Sequence, residues 1–291
     1  IDKISPVLPS LIGGSADLAS SIKVKGIDGN YDFTNRGGRN INFGVREHAM
    51  AAIVNGMTLH GLKAFSGGFF TFSDYMKPAM RLAALMNIPS IFLFTHDSVA
   101  VGEDGPTHQP IEHLTMFRAM PNITVIRPAN ANETKHSFRY ALEAKTTPTI
   151  ITLTRQNIKV NYQLSYQEFQ KGAFVVREEE GYTGILLATG SEVELAIKTA
   201  ELLKEKHQVL LRVVSMPSQE LFLKQDRNYQ ASILPEDKKI VAVEMGSPHS
   251  WYRFTKNVYG IEDFGLSAKA KDVEAFFGFT PEKLAKYYLD S

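Results

Sequence analysis

The chain contains no cysteine among its 291 residues, and this absence excludes several kinds of chemistry. Disulfide frameworks, thiolate nucleophiles and zinc–thiolate sites all require cysteine. The chain also lacks an excess of charge of either sign, because 32 basic side chains are balanced by 31 acidic ones. No basic cluster is long enough to suggest binding to nucleic acid or to a membrane surface. We therefore expect neither as a partner.

Long apolar runs are missing as well. No uninterrupted apolar stretch approaches the roughly 20 residues that span a bilayer. The opening segment Ile1–Pro6 begins without methionine and does not have the layout of a signal peptide. We expect a cytoplasmic protein whose sequence is trimmed from a longer chain. Hydrophobic residues make up 44% of the chain, enough for a substantial core in two domains.

Strand and helix patterns alternate along the first half of the chain, which is typical of βαβ units around a parallel sheet. The predicted strands are Ser10–Gly13, Asn40–Phe43, Lys63–Ser66, Ile91–Phe94, Ile123–Arg127 and Thr149–Leu153. The predicted helices between them are Arg46–Leu59, Phe72–Met86, Pro110–Met120 and Glu133–Ala144. These elements predict a doubly wound α/β domain over residues 1–160.

A polar stretch after Gln156 interrupts this pattern, and we place a linker at residues 161–172. A second, smaller α/β domain is predicted over residues 173–291. Its predicted strands are Gly184–Ala188, Val209–Val214 and Ile240–Glu244. Ser191 and Glu194 have capping-box spacing, so we interpret Ser191 as a helix cap rather than as an anion site. Thr280 before Pro281 predicts another helix start.

The polar segment Gly102–Pro110 holds two acids and a histidine in a loop that its glycines and prolines should make irregular. Upstream, Ile91–Phe94 is predicted as a buried strand that places His96 at its carboxyl end. Ligands of open α/β sheets bind at that edge. The loop, which carries His96 and His108 together with several acids, is therefore a candidate site.

Two further features follow strands at the same predicted edge. Glu47 lies in the first turn of a helix, where the helix dipole alone could explain a carboxylate. Phe69, Phe72 and Tyr75 recur at three-residue spacing after a predicted Gly67-Gly68 turn. An aromatic stripe at this spacing is often part of a core. Because Glu47 and the stripe come from loops expected to be adjacent, they could instead hold a flat heterocycle by stacking and one hydrogen bond.

Several runs along the whole chain resemble the transketolase family. In the first domain they are Gly13–Leu18, Gly44–Met50, Thr95–Ser98, Gly102–Pro110 and Thr154–Gln156; in the second they are Ala188–Val193, Val214–Pro217 and Phe276–Pro281. The run Gly-Glu-Asp-Gly-Pro-Thr-His-Gln-Pro is the most specific of them. The match corresponds to the pyrimidine-binding domain of a thiamine-diphosphate enzyme, followed by the family's C-terminal domain.

The resemblance implies thiamine diphosphate, which carries a two-carbon ketol unit from a ketose phosphate to an aldose phosphate. Glu47 then matches the glutamate that hydrogen-bonds the aminopyrimidine ring and favours its imino tautomer, so that the cofactor's own nitrogen removes the C2 proton. Phe69, Phe72 and Tyr75 match the aromatic pocket around this ring. Asp17 resembles a cofactor-proximal acid.

The family's substrate residues also have counterparts in the chain. His108 matches the histidine at the reacting end of the sugar, and Asp104 matches the acid that recognises a sugar hydroxyl. Ser21, His96 and Arg155 resemble the group that holds the sugar phosphate. The other histidines interpreted as structural, in helical or surface contexts without partners, are His60, His113, His136 and His207.

The family's Gly-Asp-Gly motif for metal and diphosphate is absent from the sequence, and Gly26–Asn30 does not replace it. No metal ligand is therefore predicted in this chain, and Mg²⁺ is expected to bind a missing diphosphate-binding domain. Three interpretations stay open: a part of a single-chain transketolase that is inactive alone, a natural half-subunit of a split enzyme, or a non-catalytic dimeric interaction module.

The family's assembly implies a homodimer, which we expect to rest on the helices Arg46–Leu59 and Phe72–Met86. Nearby alternatives are 1-deoxyxylulose-phosphate synthase and pyruvate dehydrogenase β chains. The Gly44–Met50 and Gly102–Pro110 runs favour transketolase over both. Dihydroxyacetone synthase shares much of the sugar chemistry and stays open as well.

Overall fold

The computed structural model describes residues 1–291, which form two α/β units, each built on its own sheet. The first sheet has six strands, all parallel: β1 (Leu11–Ser15), β2 (Asn40–Asn42), β3 (Lys63–Phe69), β4 (Ile91–Thr95), β5 (Thr124–Ile126) and β6 (Thr149–Leu153). They lie in the order β2-β1-β3-β4-β6-β5. The helices of this unit are α1 (Ala19–Ile22), α2 (Glu47–Leu59), α3 (Ser73–Leu85), α4 (His113–Arg118) and α5 (Ala131–Glu143).

The central strands are buried because helices cover the sheet on both faces. Phe92 and Phe94 of β4 are fully buried, as are Met50 of α2 and Met80 of α3, and all four belong to one cluster. A strand covered on both sides is apolar at successive positions rather than at alternate ones. This explains why the continuous apolar run after Pro89 correctly predicts a strand.

The second sheet has five strands: β7 (Phe174–Arg177), β8 (Gly184–Ala188), β9 (Leu211–Ser215), β10 (Lys239–Val243) and β11 (Asn257–Tyr259). Their order is β11-β10-β8-β9-β7, and β7 alone pairs antiparallel. The helices are α6 (Tyr166–Phe169) before β7, then α7 (Glu192–His207), α8 (Gln219–Leu223), α9 (Arg227–Ile233), α10 (Ala270–Phe276) and α11 (Pro281–Asp290). The predicted α/β class, with a parallel first sheet, is confirmed.

Several local predictions are wrong. The predicted turn at Gly67-Gly68 lies inside β3, where a Cβ on Gly67 would come within 2.7 Å of the Ile22 side chain. Ser191 forms no capping bond to the α7 backbone; its hydroxyl donates to Glu192 at 2.6 Å instead. Helix α4 is much shorter than the predicted Pro110–Met120 helix.

The linker prediction missed a helix. Residues 161–172 include α6, which begins with a capping box between Ser165 and Glu168. The Thr280 cap before Pro281, by contrast, is present and accepts from the Lys283 amide.

The two units share a core. One cluster of 21 buried residues includes Val99 and Ile111 of the first unit together with Leu186 and Val241 of the second. Arg118 also crosses the boundary with a bidentate bond to Glu244, 2.8 Å at each nitrogen, and both side chains are buried. None of the helices combines the length and apolar composition that crossing a membrane requires.

Candidate functional site

The predicted site residues follow different strands at one edge of the first sheet. Since all six strands are parallel, their carboxyl ends meet at this edge. The residues, in the order of the strands across the sheet, are Glu47 after β2, Asp17 and Ser21 after β1, Phe69 at the end of β3 with Phe72 and Tyr75 after it, His96 to His108 after β4, and Arg155 after β6.

A cluster of rings forms the centre of this edge. The ring of Phe69 lies 3.9 Å from that of His96, 5.8 Å from that of Phe72 and 6.0 Å from that of His108, measured between centroids. Phe72 in turn lies 5.2 Å from His108 and 6.3 Å from Tyr75. The aromatic residues and both predicted functional histidines are therefore one structural group. Tyr75 is 64% exposed, so the cluster has an open aromatic face.

His96 occupies an unusual backbone position in this cluster. It follows β4 directly with φ of 62°, the left-handed region that costs a non-glycine residue energy. Its Nδ1 lies 2.8 Å from the Thr95 hydroxyl, and the residue is buried. Burial lowers the pKa of His96, the positive charge of Arg155 lowers it further, and the negative charge of Asp104 acts in the opposite direction. The charges of Arg155 and Asp104 thus both act on the protonation of His96.

The second unit supports the polar loop Gly102–Pro110. Gly105 has φ of 79°, and the buried Gln109 donates through Nε2 to Val99 O at 2.8 Å and to Leu266 O at 3.0 Å. Ser267 donates to Glu103 O at 2.6 Å. The position of His108 therefore depends on a segment of the second unit more than 150 residues away in sequence.

Glu47, Asp17 and Ser21 are not joined to the ring cluster by any hydrogen bond, ion pair or ring contact. Glu47 begins α2 as predicted, but β1 separates its strand from β3. The expectation that Glu47 and the aromatic stripe come from adjacent loops is therefore wrong, because β2 and β3 are consecutive in the chain but not in the sheet. The Glu47 carboxylate has no partner within the chain, which leaves it free for a ligand.

The expectation that His60, His113, His136 and His207 lack partners is wrong for the first three of them. His113 is buried, with Nε2 3.2 Å from Thr71 O and 3.3 Å from the Asp74 carboxylate. His136 Nε2 lies 3.1 Å from Leu164 O, and His60 Nδ1 lies 2.8 Å from Gly56 O. Together with Glu112, His113 and Asp74 form a cluster of metal-ligand type. Since Nε2 faces two acceptors, we interpret His113 as a hydrogen-bond donor that ties α4 to α3.

The sequence reasoning missed a buried ion cluster beside His96. Arg127 follows β5 and is completely buried between Asp97 and Glu192. The sequence does carry a signal for it, because Arg127 is a charged residue at the end of an apolar strand. An arginine that is buried there needs a carboxylate partner. Only the fold identifies Glu192, 65 positions away in the chain, as that partner.

A cleft of about 680 Å³ between the units opens beside the exposed Arg155. Its lining includes Lys198 of α7 and Glu274 of α10. Burial raises the pKa of the Glu274 carboxyl. The guanidinium of Arg155 is therefore accessible from solvent through a space that both units line.

Comparison with known proteins identifies the family of the chain. The model of the transketolase pyrimidine-binding domain matches residues 1–161, and that of the transketolase-like C-terminal domain matches residues 172–280. The chain belongs to the transketolase family. It is 49% identical to a probable transketolase of Streptococcus pneumoniae over 98% of its own length and 44% of the relative. This chain thus spans less than half the length of the curated transketolase to which it is compared.

Solved transketolases share the fold. A transketolase of Pichia stipitis in complex with sedoheptulose 7-phosphate superposes with a TM-score of 0.96 and 40% identity, over 99% of this chain and 44% of that one. A chain of a split-gene transketolase, described as an inactive beta4 tetramer, superposes with a TM-score of 0.75 at 20% identity. The match covers 99% of this chain and 93% of the split-gene chain, and it is a likeness of fold.

Proposed function

We propose that the chain supplies the pyrimidine-binding and C-terminal parts of a transketolase that moves a two-carbon ketol unit from a ketose phosphate to an aldose phosphate. The observation that carries this proposal is the ring cluster around Phe69, in which His96 and His108 share one wall with Phe72. An aromatic surface bordered by imidazoles, an acid and a guanidinium suits a heterocyclic cofactor next to a polyhydroxylated anion.

The side chains at the sheet edge fit the pyrimidine end of thiamine diphosphate. Phe69, Phe72 and the exposed Tyr75 offer faces for stacking, and the Glu47 carboxylate has no partner within the chain. Glu47 would hold the aminopyrimidine by a hydrogen bond and favour its imino tautomer, while Asp17 would lie near the cofactor. Bound thiamine diphosphate supplies a carbon nucleophile that accepts the ketol unit.

We assign the remaining residues to the sugar. Arg155, His96 and Ser21 would hold the phosphate, because a guanidinium, an imidazole and a hydroxyl are all donors to phosphate oxygens. Asp104 would accept from a sugar hydroxyl, and His108 would hydrogen-bond at the reacting end. The complex of the Pichia stipitis relative with sedoheptulose 7-phosphate supports a sugar phosphate as the ligand class.

We further propose that a diphosphate-binding part with Mg²⁺ completes the site, and that residues 161–172 link domains spanning residues 1–160 and 173–291. Transketolase relatives are more than twice as long as the matched region. The complementary part would belong to the same parent chain in the cytoplasm. A natural half-subunit is the second candidate, favoured by the split-gene chain of matching extent. Retention of Glu47, Asp104, His108 and Arg155 weighs against a non-catalytic module.

The test combines the purified chain with the diphosphate-binding part of a bacterial transketolase, thiamine diphosphate and Mg²⁺, and measures ketol transfer from xylulose 5-phosphate. We expect activity only in the mixture, and Glu47→Gln should lower it by about 100- to 10,000-fold because the amide cannot take part in the same proton exchange. Glu262→Gln, outside the site, serves as control. Equal activity of wild type and Glu47→Gln would refute the assigned role of Glu47.

We also propose that the chain forms a homodimer through α2 and α3. These neighbouring helices expose Ile53, Leu59, Leu82 and Leu85, each at least 48% accessible. Exposed apolar side chains grouped on adjacent helices are typical of an interface. Leu85→Glu should therefore shift the mass measured by sedimentation towards the monomer, whereas Val175→Glu on β7 should not. A monomeric wild-type chain at micromolar concentration would contradict the proposal.

A further inference from the structure

We propose that Arg127 is a positioning residue for His96, through which the second unit fixes the imidazole at the sugar-phosphate subsite. The inference rests on the proposed function, because it concerns the histidine that we assign to the phosphate. Arg127 contacts neither the ring cluster nor the cleft. The proposal therefore assigns a role to a residue outside the site described above.

Arg127 contacts the second unit on one side and Asp97, the residue after His96, on the other. Its Nε donates to Asp97 Oδ2 at 2.7 Å. Its two terminal nitrogens donate to the two carboxylate oxygens of Glu192, at the start of α7, and Nη1 also lies 3.3 Å from Thr189 O. Every nitrogen of the guanidinium is therefore bound: Nε to the first unit and the two terminal nitrogens to the second.

The backbone at His96 needs such support. A residue other than glycine stays in the left-handed region only when its surroundings exclude the relaxed conformations. On the β4 side, Thr95 binds the ring nitrogen and Phe69 packs against the ring. On the other side, Asp97 is buried and its Oδ2 is held by Arg127, so that the strained residue is fixed at both ends.

Residues of the second unit leave space for the Arg127 side chain and hold its partner Glu192 in place. Gly190, in the turn before α7, has φ of 57°, and a Cβ there would lie 2.6 Å from Arg127 Nε. Glu192 is held in turn by the Met245 amide at 3.0 Å and the Ser191 hydroxyl at 2.6 Å. Burial raises the pKa of the Glu192 carboxyl, and the charge of Arg127 opposes this rise. The turn between β8 and α7 thus holds the guanidinium of Arg127 in one position.

A buried ion pair could instead serve stability alone, and Arg118 is the matched control for that alternative. Arg118 is also a buried arginine of the first unit that forms a bidentate bond to a buried glutamate of the second, Glu244. Unlike Arg127, it does not bind a residue next to His96. Replacing either arginine by lysine removes the planar fork and keeps the charge. Both variants should lose stability, and only one should disturb His96.

The experiment uses the full 291-residue chain with ring-labelled histidine and compares wild type, Arg127→Lys, Asp97→Asn and Arg118→Lys by NMR. The His96 ring signals are measured alone and during titration with inorganic phosphate. We expect Arg127→Lys and Asp97→Asn to shift the His96 signals and to weaken phosphate binding about tenfold, equal to 1.4 kcal/mol. Arg118→Lys should leave both unchanged. If Arg127→Lys does not fold, the Asp97→Asn variant, which keeps the shape of the side chain, decides the result.

Unchanged His96 signals and phosphate affinity in folded Arg127→Lys or Asp97→Asn would overturn the proposal. Equal effects in Arg118→Lys would overturn it as well, since they would show a general loss of stability. The proposed enzymatic function fails in a different way: the reconstituted wild type would then lack ketol transfer, while His96 would still respond to Arg127 in the isolated chain.

Discussion

The protonation of His96 depends on its burial and on charged neighbours that include Arg155 and Asp104. Burial lowers its pKa, Arg155 lowers it further, and Asp104 raises it. With a pKa below the ordinary value of about 6.5, His96 is neutral at pH 7 and can donate one hydrogen bond to a phosphate without carrying a charge. Arg155 then supplies the positive charge of the proposed subsite.

Removing either charged neighbour should move the His96 pKa in opposite directions. In Arg155→Gln we expect the pKa of His96 to rise, because a repelling cation is lost; in Asp104→Asn it should fall, because an attracting anion is lost. The measurement is an NMR titration of the His96 ring between pH 4.5 and 8, with His207 as an internal reference on the far end of α7. Shifts of the same sign in both variants would contradict the placement of His96 between these charges.

At the scale of single elements, the two hydroxyl residues expected to cap helices behave differently. Thr280 accepts from the Lys283 amide before α11, whereas the Ser191 side chain is directed to Glu192. The sequence shows only that Ser191 could cap a helix. In the structure, its hydroxyl instead binds Glu192, which is paired with the buried Arg127. Local capping rules therefore hold at the surface end of α11 and fail at the interface end of α7.

The Thr280 cap gives a quantitative prediction for α11. Thr280→Ala should lower the free energy of unfolding by about 1 kcal/mol, because one amide at the helix start loses its acceptor. Thr280→Ser keeps the hydroxyl and should cost less than half as much. Urea denaturation of both variants measures the difference; equal losses would show that the methyl group, rather than the cap, is what stabilises the position.

At the scale of the whole molecule, a shared core and buried ion pairs join the two units across their boundary. The cluster that contains Val99 and Val241 is continuous across the boundary. Arg118 lies 5.2 Å above the ring of Trp251, the only tryptophan of the chain, and binds Glu244 beside it. Trp251 fluorescence therefore reports on the interface as well as on the second unit.

We expect fluorescence of Trp251 and the His96 NMR signal to follow the same urea transition. Arg118→Leu should lower the free energy of unfolding by about 3 to 5 kcal/mol, since it leaves the buried Glu244 without a partner. The exposed i,i+4 pair of Lys198 with Glu194 provides the comparison, and Lys198→Ala should cost at most about 0.5 kcal/mol. Separate transitions for the two probes would show that the units unfold independently.

The sequence predicted the first sheet because its strands are buried on both faces and separated by amphipathic helices, as at Ile91 and Phe94. It predicted the ring cluster only in part. Phe69, Phe72 and Tyr75 were grouped by spacing, and His96 and His108 by a shared loop, but the contact of Phe69 with His96 comes from pairing of β3 with β4. Pairing of strands is a long-range property that local patterns do not encode.

Composition and local pattern by themselves determined that this is a cysteine-free α/β chain with polar loops after its strands, and its motifs alone indicated the family. The tertiary structure decided which loops meet: it placed β1 between the strands of Glu47 and Phe69, and it brought Glu192 to Arg127 across the boundary between the units. The physical reason is that a local pattern depends on a few neighbouring residues, whereas strand order and buried ion pairs depend on contacts between distant parts of the chain.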